Sequence, residues 1–537
     1  MTGSRTQKSF LNMQVNTICY FASLFLSFFT RKVFLEGLGR EFLGLLSTFQ
    51  SLLGFLNIAE MGVGATIGFV LYKPIYENDR KSILEILSIM GFIYRWIGSF
   101  VLLAGLILSA FFPAFFSKTD ISLAVIYFGF YASLAATILG YFINYNTTLL
   151  LADQKNYVLT GVSQGITISR VLLQAILVLT WGNLYLFFAI ELLFAILQCA
   201  LLQGRMRKHY PWLKTDLSQG KSLLKSYPII LRYIRQWSVH KISIFVQGST
   251  LPLIIYSLSS LSVVTLYTNY TTISQRIQGF LCNLAFSTSA SVGNLVAEGN
   301  PDKTYGVYRQ MFSLLFFTAG VLTFCLYALM DDFVIAWLGR EYLLDRPIVF
   351  LICLNFFLST IRGITDQFNC AFGLLSDVWA AVAEAVIFLA VSLPLGYFYG
   401  LGGILMGPVV SLIVIIHLWK PYFLFSRGLK QHYGKYWLLF LQNALTLALP
   451  TAATLFLLSR LPPGSLLPNP WLSWLLKATL FTATETLLAF LAFYTLLPDF
   501  RLAFQRFLHR LPLLRQRPGI QPIKPDGHAT ETRIPCD

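Results

Sequence analysis

Charge is what this chain has least of. Asp, Glu, Lys and Arg together make up 12% of its 537 residues, about half the share of an ordinary soluble protein, which excludes a conventional water-facing surface. Acids are the scarcer sign, 24 against 40 Lys and Arg, for a formal net charge of +16. There is no CxxC: the cysteines are scattered as Cys19, Cys199, Cys282, Cys325, Cys353, Cys370 and Cys536. All but the last fall in apolar stretches, where a thiol behaves as a small hydrophobe. The six histidines form neither an HxxxH nor a His–Cys group, so neither a metal site nor a cofactor is expected.

What is abundant is apolar. Hydrophobic residues reach 56% and aromatics 15%, with 47 Phe and 26 Tyr. That composition suits a chain whose solvent is lipid, with phenylalanine in the hydrocarbon and tyrosine and tryptophan at its edges. The fold class expected is therefore an all-α polytopic membrane protein. Segments of about 20 apolar residues are read near 10–30, 42–72, 96–116, 121–143, 158–180, 183–204, 241–258, 263–290, 307–330, 347–372, 376–398, 401–419, 437–459 and 471–497, about fourteen in all. The first follows Arg5 and Lys8 and is longer than the apolar core of a signal peptide, so it is expected to remain as a span. Asn57, Gly62, Gly64 and Gly68 would weaken the long second span where it passes Glu60.

The basic residues are segregated rather than spread. Arg205, Arg207, Lys208, Lys214, Lys221, Lys225, Arg232, Arg235 and Lys241 crowd one segment against a single acid, Asp216. Lys73, Arg80 and Lys81 form another basic loop, Lys420, Arg427, Lys430 and Lys435 a third, and Arg501 to Arg533 a basic tail. Fourteen spans put all of these on the side of both termini, which the positive-inside rule makes cytoplasmic. The intervening loops carry few: Arg31, Lys32, Arg40, Lys118, Arg340, Arg346 and Arg460. This distribution argues against nucleic acid as a partner. The organisation expected is a six-helix lobe at 1–204, a basic cytoplasmic linker at 205–240, a second six-helix lobe at 241–420, two additional spans at 421–497, and a basic, disordered tail at 498–537.

A charge within a span costs about 2.5–3.5 kcal/mol on the insertion scale, so it marks either a structural pair or a functional site. The candidates are Glu60, Arg170, Glu191, Arg276, Arg362, Asp366, Glu384, Lys477 and Glu485. Arg362 and Asp366 stand i,i+4 and can pair on one helix face. Lys477 and Glu485 fall in the last pair of spans and read as structural. Arg170 and Arg276 have no acid within a turn, so each needs a partner on another helix, a wet cavity or an anionic ligand. The run from Tyr267 to Arg276 (YTNYTTISQR) is too polar to face lipid; it reads either as a helix buried among others or as a cavity wall.

Several stretches together resemble a known family. Ala59-Glu60-Met61-Gly62-Val63-Gly64-Ala65 with Leu71-Tyr72-Lys73-Pro74-Ile75 is similar to the second-span signature of bacterial O-antigen and polysaccharide lipid flippases. Ala152-Asp153-Gln154-Lys155-Asn156-Tyr157, Thr268-Asn269-Tyr270, Ala290-Ser291-Val292-Gly293-Asn294, Phe372-Gly373-Leu374-Leu375-Ser376-Asp377 and Gly402-Gly403-Ile404-Leu405-Met406-Gly407 resemble its later landmarks, in order over about residues 10–430. The family lies in the larger group that includes multidrug and toxin extrusion transporters. The resemblance implies two six-helix lobes in a V, moving undecaprenyl-pyrophosphate-linked oligosaccharide between leaflets of the inner membrane by alternating access. It also implies H+ or Na+ as coupling ion, and the polymerase and glycosyltransferases of the same pathway as partners. Where many relatives carry an acid in the seventh span this chain reads Gln247-Gly248-Ser249-Thr250-Leu251-Pro252, which puts ion coupling in that helix in doubt.

On this reading Arg276, Arg170 and Arg362 are candidate pyrophosphate contacts, and Arg95 meets the headgroup at the cytoplasmic mouth. Tyr267, Asn269, Tyr270 and Gln275 are candidate sugar contacts, and Glu60, Asp366 and Glu384 candidate ion carriers. A multidrug or ion antiporter would want acidic cavities instead. A polymerase or ligase would want a sizeable outer loop, and the longest here, Asp331 to Arg346, is short. The topology is testable by thiol labelling of intact cells in a cysteine-free background. A cysteine at Lys221 should stay protected, and one at Asp332 should react.

Overall fold

The computed structural model describes residues 5–510 except 61, 287, 375–376 and 459–466. These residues form helices and connections, with no strand among them. In lipid no water is at hand for backbone N–H and C=O groups, and a helix satisfies them within one segment. The long helices are α1 (Arg5–Leu56), α2 (Val63–Glu77), α3 (Arg80–Ser109), α4 (Leu123–Ile143), α5 (Asn156–Thr180), α6 (Leu184–His209) and α7 (Pro228–Leu258). They continue as α8 (Leu261–Phe286), α9 (Pro301–Trp337), α10 (Arg346–Ala371), α11 (Val378–Ser411), α12 (Gly434–Leu458), α13 (Pro470–Leu496) and the shorter α14 (Pro498–Arg510).

Two of these fold back on themselves. Gly39 in α1 has φ 85° and Gly400 in α11 has φ 58°, a region that glycine enters without a Cβ penalty. The first arm of α1 runs beside α5: Asn12 donates to the Gln154 carbonyl at 3.0 Å, Ser23 to Gln164 Oε1 at 2.9 Å, and Gly37 lies against Val178. After Gly39 the chain returns, and Asn78 and Arg80 border one cavity with Asp153. Likewise Ser392 Oγ donates to the Ile404 carbonyl at 2.8 Å across the Gly400 turn. The second arm of α11 continues through π-helical turns at Leu412–Trp419 and Leu424–Gly428. Among the described residues, ten segments are long and apolar enough to cross a membrane. Two of them are hairpins holding two passes each, and α7 and α8 bring the passes to fourteen.

The passes alternate between a basic end, which carries the 205–235 segment, and an opposite end marked by Arg40, Lys118 and Arg340. Leu103, Ile107, Ile176, Leu179, Leu193, Leu445 and Leu449 lie exposed along the flanks, an apolar surface that only lipid would cover. α1–α6 pack together, as do α7–α11; the two sets touch near the basic end through Phe69 on Tyr233, ring centroids 5.5 Å apart, and close on each other at the end away from the basic loops. There Phe115 and Phe116 pack on Tyr256 with ring centroids 5.0 and 5.4 Å apart, and Trp337 Nε1 donates to the Phe28 carbonyl at 2.9 Å. Lys118 donates to the Ser257 carbonyl at 3.0 Å and Thr265 to that of Arg40 at 2.6 Å. α12 and α13 attach to the second set, through a core of Phe312, Phe316, Tyr436 and Phe493.

Several sequence expectations shift. The third pass starts at Arg80, not near residue 96, because Asp79 caps it: its carboxylate accepts from Lys81 N, Ser82 N and Ser82 Oγ. Those bonds, the Ser82 side chain first, hold the Asp79 carboxyl below its ordinary pKa. Arg31, expected in a loop, lies inside the first arm of α1. The basic segment at 205–240 is partly helical and lies along α3: Tyr227 donates to Glu85 at 2.7 Å, and Asp216 N to Ser88 Oγ at 3.1 Å. The tail expected to be disordered from 498 begins as α14. Phe500 packs on Phe493, Phe504 on Phe490, and Asp499 pairs with Arg309 at 3.1 Å. Residues 511–537 lie outside the described region.

The closure of the two sets leaves no room at Gly44, where a Cβ would stand 2.1 Å from the Leu261 carbonyl oxygen. Gly44→Ala should cost about 1–3 kcal/mol by overpacking and lower the melting temperature in detergent. Gly161→Ala, where a Cβ meets nothing within 4 Å, should be neutral or gain up to about 1 kcal/mol.

Candidate functional site

The polar run of the sequence sits on α8, directly against the first arm of α1. Arg31 reaches from α1 to donate through Nε to Asn269 Oδ1 at 2.5 Å and through its terminal nitrogen to Thr268 Oγ1 at 2.7 Å. Earlier on α1, Tyr20 donates to the backbone carbonyl of Arg276 at 2.9 Å. These bonds tie the two sets of helices together, and beside them opens a cavity of about 690 Å³. Its walls are α1, α5 and α8. Arg31 and Arg276 line it with Tyr20, Ser23, Thr30 and Gln164, and no acid is among its lining residues. Neither guanidinium has an ion-pair partner among the described residues. Arg31 has its positive charge spread over neutral acceptors, and the Arg276 side chain has no partner at all there. Amides and hydroxyls around two uncompensated cations make a receptor for an anion.

A second cavity, of about 440 Å³, lies inside the first set of helices and shares Phe34, Thr167 and Val171 with the first. Arg170 lines it, but its charge is matched: Glu191 on α6 lies 3.3 Å away, both side chains roughly one-quarter exposed. The partner that the sequence required for Arg170 is thus on another helix. A third cavity, of about 250 Å³, belongs to the second set and is lined by Tyr267, Gln275, Gln278, Asn355, Ser359 and Arg362. Arg362 is held by two carboxylates, Asp366 on its own helix at 2.8 Å and Glu384 on α11 at 3.4 Å.

Solved structures place this architecture. The chain superposes on "Lipid II flippase MurJ, inward closed conformation" with a TM-score of 0.64 at 16% identity, covering 89% of this chain and 98% of that one. It also matches an inward-facing multidrug resistance MATE family transporter of the MOP superfamily, with a TM-score of 0.61 at 15% identity over 78% of this chain and 98% of that one. A point mutant of a MATE transporter follows at 0.51 and 16% identity, over 78% and 94%. The chain shares the fold of these membrane proteins. No known sequence family and no curated protein matches it. The fold agrees with the resemblance to polysaccharide flippases that the motifs carry.

Within this fold the remaining candidates separate. Tyr270 is fully buried, donating to Asp331 at 3.1 Å and accepting from Leu344 N at 3.2 Å, so it braces the closed end. Asn269 is fully buried and engaged by Arg31. Glu60 stands where the second pass breaks into a 3-10 turn before Gly62, and accepts from Tyr94 at 2.9 Å and Tyr141 at 3.1 Å. Arg95 lies fifteen residues into α3, about 22 Å along it at 1.5 Å per residue, rather than at the mouth expected. It is exposed there, in line with Leu102 and Leu106. Lys477 pairs with Asp332 at 2.8 Å, and Glu485 accepts from Thr451 at 2.8 Å. The side chains of Gln247 to Ser249 are outside the described residues.

Arg31 is the site residue that sequence reading missed, because the pair Arg31-Lys32 ends the apolar run and looks like a loop. The signal was further on: Phe34, Leu35 and Leu38 continue the helical spacing, with Gly39 as the turn. The carboxylate pair around Arg362 generates a stability test. Arg362→Gln would leave two carboxylates facing each other, whereas Glu384→Gln leaves a matched pair. The first should therefore destabilise by about 3 kcal/mol and the second by clearly less, measured by thermal unfolding.

Proposed function

We propose that the chain is a flippase that carries polyprenyl-pyrophosphate-linked oligosaccharide, of the O-antigen or capsule repeat type, across a bacterial inner membrane. One observation carries this reading: the cavity where the two sets of helices meet presents Arg31 and Arg276 and no acid. A pyrophosphate cannot enter hydrocarbon unaided, since its charges would lose water without replacement. Guanidinium groups bond phosphate oxygens through paired N–H groups, while a polyprenyl tail stays in lipid. A carrier of cationic drugs would need the opposite sign in that place.

The basic end faces the cytoplasm on this reading, by the positive-inside rule, and both termini lie there. Rocking of one half against the other would carry the site outward. Asp366 and Glu384 both hold Arg362, and Glu60 is bound by the phenols of Tyr94 and Tyr141. These are the places for a coupling H+ or Na+. The protein itself would transport without catalysing a covalent step.

Arg276→Gln should abolish or severely reduce glycan export at unchanged protein level in the membrane. Arg276→Lys should restore it in part, since an ammonium offers a point charge in place of a fork. Arg31→Gln should act in the same direction. Normal export by an Arg31→Gln/Arg276→Gln double variant at normal abundance would refute the assignment.

A further inference from the structure

We propose that the 440 Å³ cavity inside the first set of helices is where the sugars of the cargo are recognised, and that it selects uncharged ones. This rests on the flippase reading and adds to it which part of the cargo the chain discriminates. The cavity is of the size that encloses small ligands, about 300–1,000 Å³, yet its lining is unlike a lipid pocket. Gln50, Thr137, Gln198 and the Arg170–Glu191 pair face it, and Phe34 and Phe187 give it flat apolar walls. The Gln50 amide makes no hydrogen bond among the described residues. Gln198 uses its amide nitrogen on Ser163 at 3.3 Å and keeps its carbonyl free. Unmatched amides at membrane depth are costly, and they must be satisfied by water or by a ligand with both donors and acceptors. A pyranose has that character: hydroxyls of both kinds on its rim, and C–H faces that pack on aromatic rings.

Charge decides the kind of sugar. Arg170 is matched one-to-one by Glu191 at 3.3 Å, so the cavity is neutral. A uronate or other acidic sugar would find a guanidinium already engaged and a carboxylate beside it. The placement also fits the length of the cargo. One face of α5 carries Gln164 in the cationic cavity, Thr167 in the shared wall, and Arg170 and Gln174 in the neutral one. From Gln164 to Gln174 is about 15 Å along the helix. A pyrophosphate held by Arg31 and Arg276 would therefore lead its first sugars along α5 into this cavity. The third cavity is smaller, and its arginine is held between two carboxylates.

Binding to the full-length chain in nanodiscs tests this with three probes: polyprenyl pyrophosphate alone, the same lipid bearing a neutral disaccharide, and the same lipid bearing a uronate-containing disaccharide. The native chain should bind the neutral-sugar probe most tightly. Gln50→Leu/Gln198→Leu should weaken that probe about tenfold, the loss of two neutral hydrogen bonds, and leave the bare lipid pyrophosphate within about twofold. Glu191→Gln should move the preference between the two glycan probes about tenfold toward the uronate. Equal affinities of the native chain for bare and sugar-bearing lipid, or a double variant that loses both alike, would overturn the sugar site while leaving the flippase reading in place. Failure of the native chain to bind any of the three would overturn both.

Discussion

The absence of water beside the helices conditions everything else in this molecule. In hydrocarbon an unmatched polar group costs several kcal/mol, so each backbone bond, amide and charge within a pass has to be satisfied from inside. That is why reversals within the apolar segments are confined to Gly39 and Gly400, where one residue turns the chain. It is also why α8, with its run of threonines, tyrosines and asparagine, lies against α1 instead of lipid. The pairs Arg170–Glu191, Arg362–Asp366 and Lys477–Asp332 answer the same requirement, each drawing two passes or two turns together.

Against that background the contact between the halves is unusual in kind. It is made partly of apolar packing, Phe115 and Phe116 on Tyr256, and partly of hydrogen bonds to uncharged acceptors, Arg31 to Thr268 and Asn269, Lys118 to the Ser257 carbonyl and Thr265 to the Arg40 carbonyl. Charge-to-charge pairs, among the described residues, are found within a half or between the second half and the last passes. An interface whose acceptors are uncharged can separate without leaving a carboxylate orphaned. A fixed ion pair would resist that separation, because each partner would be left unmatched in a low dielectric. The distribution of charge thus suits two bodies that move against each other around a cationic space.

Much of the fold could be read from composition and spacing because lipid imposes a length and a polarity on every pass. The apolar runs at 121–143, 158–180, 183–204 and 471–497 fall within a few residues of α4, α5, α6 and α13. Boundaries drifted where something other than hydropathy decided them. α3 extends toward the basic end as far as Arg80 because Asp79 caps it and Ile83, Ile86, Leu87 and Met90 pack inward. The pass after Gly400 continues to Gly428 through π-helical turns that no periodicity announces. α14 is helical because Phe500 and Phe504 find aromatic partners on α13, a contact invisible in a basic, proline-flanked tail.

The sequence by itself determined that the chain lives in a membrane, how many times it crosses, and which arginines inside it needed an explanation, since the cost of a buried charge does not depend on the fold. Which explanation applied was decided by the tertiary structure. Arg170 and Arg276 look alike in sequence, each a mid-pass guanidinium with no acid within a turn. Folding brings Glu191 of α6 to one, and to the other a cavity shared with Arg31, which the sequence had left in a loop. Neither outcome is encoded at the spacing of one helix. The pairing of charges between passes depends on which helix faces become neighbours, and that is settled when all the passes pack at once.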